Sequence, residues 1–160
     1  MLKINTRDVP DDPGHSPGGK YSCTGQSITY ALQQREGPGL EQSPFDLEIH
    51  RIPPGKTAFP YHAHSAQWEF YHVMSGRGTV RHKDGVTPIE PGDAFHFRPN
   101  EPHHLINSGP GEEDLVVYVI ANNPVGEFIH YPDSNKWMVR LPETDRIMRS
   151  EPVPYYDGEE

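Results

Sequence analysis

The chain has 160 residues, enough for one domain with a substantial hydrophobic core. Its formal charge is −9 and no stretch is rich in lysine or arginine, so nucleic acid and anionic membrane are poor candidates for partners. No apolar run approaches the length of a membrane span and no signal peptide is evident, which predicts a cytoplasmic protein. Cys23 is the single cysteine, which excludes an internal disulfide and a thiolate metal cluster. The 18 prolines and 15 glycines favour many short strands joined by turns.

Residues 1–26 are rich in proline, glycine and aspartate, which argues against regular secondary structure. Two interpretations are open: an arm that lies on the domain and is held down near Tyr21, or a disordered leader. Ser27–Gln33 begins with strand-forming residues and predicts a first strand.

The segment that starts at Phe45 alternates apolar and polar residues with the period of a strand that buries one face. Phe45, Leu47 and Ile49 form its apolar set, and His50 falls on the opposite, polar face. Residues 53–55 read Pro-Pro-Gly and predict a tight turn, because proline fixes φ and glycine accepts a positive φ.

The next segment carries two histidines in H-x-H spacing, followed by a glutamate. In an extended strand His62 and His64 lie on one face with their Cα atoms roughly 6.6 Å apart, so their imidazoles can converge on one metal ion. Glu69 is an odd number of residues from His64, so the chain must turn or bulge through residues 65–68 to bring its carboxylate to the same side. Gln67 is an alternative within reach of that turn, although an anionic oxygen offsets the charge of a divalent ion and an amide does not.

The second half of the chain begins with more strand signals. Tyr71 shares the face of Glu69 and is expected to line the pocket, and His72 faces away. Asp84–Gly85 favours the type I′ turn of a two-residue hairpin. His96 lies between two phenylalanines that share a face, and it points away from that face.

Two adjacent histidines, His103 and His104, offer one further imidazole. Neighbours on a strand face opposite sides, so at most one of the two can point into the pocket. Leu115–Ala121 is apolar on both faces, as in a core strand or an interface strand. This pattern predicts a homodimer, with Ser27–Gln33 offering a strand that could pair across a two-fold axis. Residues 122–141 could fold back over the mouth of the domain, and the acidic last ten residues are expected to be mobile.

Short strands with turn signals between them, and no convincing helical period, predict an all-β protein built as an antiparallel sandwich or barrel. Two sets of residues resemble the paired motifs of the cupin superfamily. The first motif is matched by Gly55, His62, His64, Glu69 and Gly76, with one residue more than usual between the first two. The second motif is matched by Gly85, Pro91, Gly92, Asp93, Pro102, His103 and Asn107.

The resemblance covers roughly residues 45–121 and implies a double-stranded β-helix, the jelly-roll barrel, with N- and C-terminal extensions. The organisation predicted on this basis is an arm at 1–26, a barrel at 27–122 and a C-terminal extension with an acidic tail at 123–160, in one domain overall. The metal ligands implied by the resemblance are His62, His64, Glu69 and His103, the last favoured over His104 by its distance to Asn107. Flanking segments at 16–21 and 130–137 resemble single-domain cupins and bring no known reaction with them.

Three imidazoles and one carboxylate suit a divalent ion of iron, manganese, nickel, cobalt or zinc, and ligand type does not choose among them. An open coordination position would serve a small-molecule ligand in the barrel, through Lewis acidity or, with a redox metal, through dioxygen activation. The acid or base of such a reaction is unassigned, with Tyr71 and His96 as candidates. Two functions therefore stay open. One is a metal-dependent isomerase, lyase or dioxygenase that acts on an oxygen-rich molecule, and the other is a non-catalytic module that binds or senses a sugar or a carboxylate.

Overall fold

The structure is a computed structural model that describes residues 1–36, 43–124, 126–140 and 144–159. In these ranges the chain forms thirteen strands, one α-helix and two 3-10 helices, the latter at Thr6–Asp8 and Pro132–Ser134. The strands of the N-terminal half are β1 (Asp12–His15), β2 (Ser22–Ser27), β3 (Phe45–Ile52), β4 (Ala63–His64), β5 (Glu69–Ser75) and β6 (Gly78–His82). The later strands are β7 (Gly85–Ile89), β8 (Ala94–Phe97), β9 (His103–Ile106), β10 (Leu115–Asn122), β11 (Phe128–Tyr131), β12 (Lys136–Arg140) and β13 (Asp145–Met148). The helix α1 is Ile28–Glu36.

The strands are arranged in three antiparallel sheets. A six-stranded sheet has the order β1-β2-β3-β10-β5-β8, a three-stranded sheet the order β7-β6-β9, and a four-stranded sheet the order β13-β12-β11-β4. The main hydrophobic core lies between the first two sheets, since it includes Val73 and Val117 from one and Val80 and Leu105 from the other. The prediction of an all-β jelly-roll barrel is confirmed.

Strand β10 lies at the centre of the six-stranded sheet, between β3 and β5. Leu115, Val117 and Val119 point into the main core. Val116 and Tyr118, on the other face, pack against a second apolar cluster outside the barrel. A strand with apolar contacts on both faces explains why the segment shows no alternation in the sequence.

The strand predicted at Ser27–Gln33 is wrong, because α1 begins there. Residues 31–35 are mostly good helix formers, and Ile28, Ala31 and Leu32 recur at helical spacing. These three side chains belong to the second apolar cluster, on the outer face of β3. The strand next to β3 is β2 instead, five residues earlier. In the described part of the chain, no helix has both the length and the apolar character needed to span a bilayer.

Of the two interpretations of the first 26 residues, the ordered arm is the one seen in the structure, but the expected lack of regular secondary structure is wrong. β1 and β2 form a hairpin that extends the six-stranded sheet. Tyr21 makes a β-bridge to Thr57, next to the segment that carries the histidines.

Strand β3 faces the opposite way from the predicted orientation. Leu47 and Ile49 face outward and are covered by α1, whereas Glu48 and His50 line an internal cavity. The alternating pattern was read correctly as a strand, but alternation alone does not say which face is inside when a helix covers the outer one.

The hairpin between β6 and β7 is shifted by one residue from the prediction. His82 pairs with Gly85, so the two linking residues are Lys83 and Asp84. Neither has a positive φ, which a type I′ turn requires at both positions. The turn type predicted for Asp84–Gly85 is therefore wrong.

Gly76 directly follows β5, at a position where we expect a side chain to be poorly tolerated. Its φ is 76°, and a Cβ atom there would collide with the backbone oxygen of Asp114 and lie 2.8 Å from the Cα of Leu115. Gly76→Ala is expected to lower the free energy of unfolding by about 2 to 4 kcal/mol in urea denaturation. Gly92→Ala is the matched control, because φ is 95° there and no atom lies within 4 Å of the new Cβ. Equal losses in the two variants would contradict the role of crowding at Gly76.

Candidate metal centre

The four side chains implied as metal ligands lie together at one end of the barrel. The Nε2 atoms of His62 and His64 are 3.1 Å apart. Glu69 Oε2 lies 3.6 Å from His64 Nε2 and 2.7 Å from His103 Nε2. The ligand atoms of His62, His64 and Glu69 are all within 4.8 Å of one another.

Three strands hold this group in place. His64 belongs to β4, Glu69 begins β5 and His103 begins β9, while His62 is joined to His103 by a β-bridge. Residues 65–68 form the break between β4 and β5 that the odd spacing of Glu69 requires.

All three imidazoles are oriented through their Nδ1 atoms. Each Nδ1 lies against an oxygen that only accepts hydrogen bonds, so Nδ1 carries the proton and the neutral ring has its lone pair on Nε2. The contacts are His62 to the Pro60 carbonyl at 2.8 Å, His64 to the Glu127 carboxylate at 3.2 Å and His103 to the Glu101 carbonyl at 3.0 Å.

The lone pairs therefore converge on the carboxylate of Glu69. A 3.1 Å separation between two Nε2 lone pairs is not a hydrogen bond in the neutral tautomers, but it matches two ligands at right angles about 2.1 Å from one ion, which are roughly 3 Å apart. Glu69 Oε2 is buried and, among the described residues, has no hydrogen bond of acceptable geometry, even though His103 lies 2.7 Å away. Four electron-pair donors that form no hydrogen bond among themselves fit a divalent cation.

The ionisation of these groups also suits a cation. Burial, reinforced by the neighbouring His103, lowers the pKa of His62 to about 4, so its ring is neutral at pH 7. Burial alone would raise the pKa of Glu69, but the contacts with His103 and His64 outweigh it and bring the pKa to about 2. His62 thus presents a neutral nitrogen and Glu69 an anionic oxygen, the forms that bind metal.

Glu127, just before β11, is a functional residue that the sequence analysis missed. Its side chain is 2% exposed, and its Oε1 accepts hydrogen bonds from the backbone N–H groups of Ala66 and Gln67 at 3.1 and 3.0 Å. Burial would raise the pKa of Glu127, but these bonds and the one from His64 lower it, so the group is a carboxylate. Glu127 therefore fixes both the His64 ring and the turn before Glu69. Only this contact across the fold reveals it, since no local motif marks the residue.

The alternative residues for two of the ligand positions, Gln67 and His104, make other contacts. Gln67 also lines the cavity, but its amide nitrogen donates to the Asn122 carbonyl at 2.8 Å. His104 faces the outer side of β9, where its ring lies edge-on to Tyr61 with 5.5 Å between centroids.

The two candidates for an acid or base are on opposite sides of the sheet. Tyr71 lines the cavity, and its hydroxyl oxygen is 3.4 Å from His103 Nε2. Burial, with the nearby Glu69, raises the pKa of Tyr71 well above its usual value, so it remains a neutral phenol. His96 is exposed and stacks on Trp68 outside the barrel, with 5.8 Å between ring centroids, so it does not join the group of ligands.

A cavity of about 310 Å³ opens above the ligands. The inner face of β3 contributes Asp46, Glu48 and His50 to its wall, and the C-terminal sheet contributes Tyr131 and Arg140. The C-terminal segment thus does fold over the mouth of the barrel. His50 Nε2 and Glu48 Oε2 are 2.7 Å apart, so this pair holds a proton on the cavity wall.

Comparison with known proteins places this geometry in a family. A family model described as a cupin domain matches residues 48–121, the segment that contains both groups of ligands. The chain is 25% identical over 169 residues to an auxin-binding protein of Nicotiana tabacum, covering 99% of this chain and 79% of that protein.

Two solved structures have a similar fold. A putative sugar phosphate isomerase from Acidithiobacillus ferrooxidans has a TM-score of 0.71 and 25% identity, over 88% of this chain and 84% of that one. A sugar phosphate isomerase of the cupin superfamily from Silicibacter pomeroyi has a TM-score of 0.77 and 19% identity, over 96% and 97% of the two chains. With the barrel, the motif match and these neighbours in agreement, the chain is a small protein that contains a cupin domain at residues 48–121.

Proposed function

We propose that the protein is a metal-dependent enzyme of the isomerase or lyase type that acts on a small, oxygen-rich molecule. His62, His64, Glu69 and His103 hold the divalent ion. The observation that carries this proposal is the convergence of three Nε2 lone pairs and one buried carboxylate oxygen that form no hydrogen bond among themselves. The similarity to a putative sugar phosphate isomerase supports the isomerase class.

When bound, a divalent ion supplies Lewis acidity to a hydroxyl or carbonyl oxygen of the ligand. The chain supplies the remaining functions. Tyr71 offers a neutral hydroxyl next to His103, and the Glu48–His50 pair holds a proton that can be exchanged with a bound molecule. The cavity volume of about 310 Å³ is at the lower end for ligand sites, which favours a small molecule.

A first experiment finds a ligand. Small sugars, uronates, keto acids and phenols are screened for thermal stabilisation of the metal-loaded protein, where a ligand at 100 times its Kd contributes about 2.7 kcal/mol. Turnover of the hit is then followed with zinc, manganese, cobalt, nickel and iron(II), with and without oxygen. We expect several metals to support turnover and oxygen to make no difference. Activity with iron(II) alone and only in oxygen would replace this proposal by a dioxygenase.

A second candidate function is favoured by one observation, the similarity to a protein named for auxin binding. In that case the same cavity would bind a small carboxylate or sugar and release it unchanged. Stoichiometric binding of a screened ligand, with no product under any of the metals, would favour this binding module over the enzyme.

The proposal also includes a homodimer, formed through the outer face of the six-stranded sheet. Phe70, Met74 and Ile120 are 41%, 46% and 43% exposed there, and Phe70 lies opposite Ile120 in the register of β5 and β10. Because each chain carries a charge of −9, a face that is apolar at its centre is a favourable place for two copies to meet.

Light scattering at micromolar concentration is expected to give the mass of a dimer, and Ile120→Glu the mass of a monomer. Val86→Glu is the control, since Val86 is an exposed apolar residue of β7 outside this face. A monomeric wild-type protein would contradict the dimer.

A further inference from the structure

The charges on the cavity wall are unusual for a site that would receive a phosphate group. Asp46 and Glu48 project from β3 into the cavity, and Arg140 is the one lysine or arginine among the described residues that line it. A phosphate ester carries about two negative charges at neutral pH and is normally met by several cations or by a cradle of backbone N–H groups. No helix begins among the described residues of the cavity lining.

The arginine and lysine side chains near the cavity form other contacts. Arg81 forms a bidentate ion pair with Asp133 at 2.6 and 2.9 Å. Arg51 donates to the Gln26 side chain at 2.9 Å. Lys56 donates to the Gly19 carbonyl at 2.6 Å. They do not line the cavity, where Arg140 is the one lysine or arginine among the described side chains and His50 contacts Glu48. A divalent ion at the four ligands would bring two positive charges, one of which the Glu69 carboxylate offsets.

The Asp46 and Glu48 carboxylates can also accept further hydrogen bonds. Asp46 Oδ1 accepts a hydrogen bond from the Thr29 hydroxyl at 3.0 Å, and Glu48 Oε2 is in contact with His50. Their second oxygens, Asp46 Oδ2 and Glu48 Oε1, have no partner within the described ranges of the chain. Carboxylate oxygens in this state accept hydrogen bonds from hydroxyl groups and repel anions.

We propose that the ligand is an uncharged polyhydroxy compound, a free sugar or polyol, whose hydroxyl groups donate hydrogen bonds to Asp46 and Glu48. This inference rests on the function proposed above. Phosphate esters and sugar acids bind more weakly because the same two side chains repel them. This separates the chain from the two similar structures that are named for sugar phosphates.

The test uses three ligands that share one ring and differ in charge at the same carbon: glucose, glucuronate and the glucose phosphate ester at that carbon. The series is repeated on mannose and galactose, because charge does not fix the preferred hydroxyl stereochemistry. Affinities for the metal-loaded protein are measured by isothermal titration calorimetry. In one or more of the three series we expect the free sugar to bind at least about tenfold more tightly than the phosphate ester. The uronate is expected to bind with an intermediate affinity. An ester or uronate that binds more tightly than its free sugar would overturn the inference, and so would failure of all free sugars to bind.

Variants test whether the Asp46 and Glu48 carboxylates cause the preference for the free sugar over the phosphate ester. The double variant Asp46→Asn with Glu48→Gln keeps the side-chain sizes and removes the charges, and it is expected to narrow the ratio of sugar to ester affinity at least about fivefold. As a control, Asp84→Asn with Glu90→Gln removes two exposed carboxylates outside the cavity and is expected to leave the ratio of sugar to ester affinity within about twofold. An unchanged ratio in the double variant would overturn the inference.

The same measurements distinguish a failure of this inference from a failure of the proposed function. Metal content is determined for every sample. If the protein holds metal and prefers the esters, the charge inference fails while the metal centre stands. If the free sugar binds equally well after removal of the metal, the preference for uncharged ligands stands and the metal-dependent function fails.

Discussion

Replacement of both His62 and His64 by alanine is expected to remove the bound metal. The wild-type protein should carry about one divalent ion per chain by elemental analysis, and the double variant less than about a tenth of that, since two of four ligands are lost. The variant leaves the barrel core untouched, because the rings pack on one another and on the C-terminal sheet instead of in the main cluster.

A matched control is available on the outer face of the sheet. His72→Ala with His96→Ala also removes two imidazoles, but both residues are exposed and face away from the cavity. This control is expected to retain full metal content. Full metal content in the variant that lacks His62 and His64 would contradict the assignment of these two residues as ligands.

Glu127→Gln is expected to weaken metal binding about 10- to 100-fold, although Glu127 is not a ligand. Glu127 accepts one hydrogen bond from His64 and two from backbone N–H groups of the turn before Glu69. An amide offers one acceptor oxygen where the carboxylate offers two, and it cannot accept all three hydrogen bonds in the same geometry. The His64 ring and the Glu69 carboxylate would then lose their fixed positions.

The affinity of this variant is measured by competition with a chelator of known metal affinity. Glu90→Gln is the control, because Glu90 is exposed and pairs with Arg77 far from the ligands. Circular dichroism of the metal-free proteins establishes that Glu127→Gln remains folded. An affinity equal to that of wild type would show that His64 is positioned without Glu127.

Some features of the fold follow from spacing within a few residues, and others depend on contacts between distant parts of the chain. The H-x-H spacing and the odd offset of Glu69 constrain the geometry within a few residues of each other, and the structure places them where those constraints require. The ordered arm has no such signal, because β1 pairs with β2, and β2 in turn pairs with β3, more than twenty residues away. The helix was missed for a related reason, since its apolar stripe covers the outside of β3 instead of the core.

The cavity wall was the least predictable part of the site. The sequence places His50 on the polar face of its strand, and such a face normally contacts water. Here that face lines a polar cavity, and the apolar face lies under a helix. Glu127 is 63 residues from His64 along the chain, and only the pairing of β11 with β4 brings them together. Such contacts depend on the assembled sheets and leave no periodicity in the sequence.

The most direct measurement of the central claim is an anomalous difference map from crystals of the protein loaded with zinc or cobalt, recorded at the absorption edge of the metal. We expect a single strong peak about 2.0 to 2.2 Å from the Nε2 atoms of His62, His64 and His103 and from a carboxylate oxygen of Glu69. A peak bound to other residues, or the absence of any peak at these four side chains in metal-loaded crystals, would contradict the metal centre.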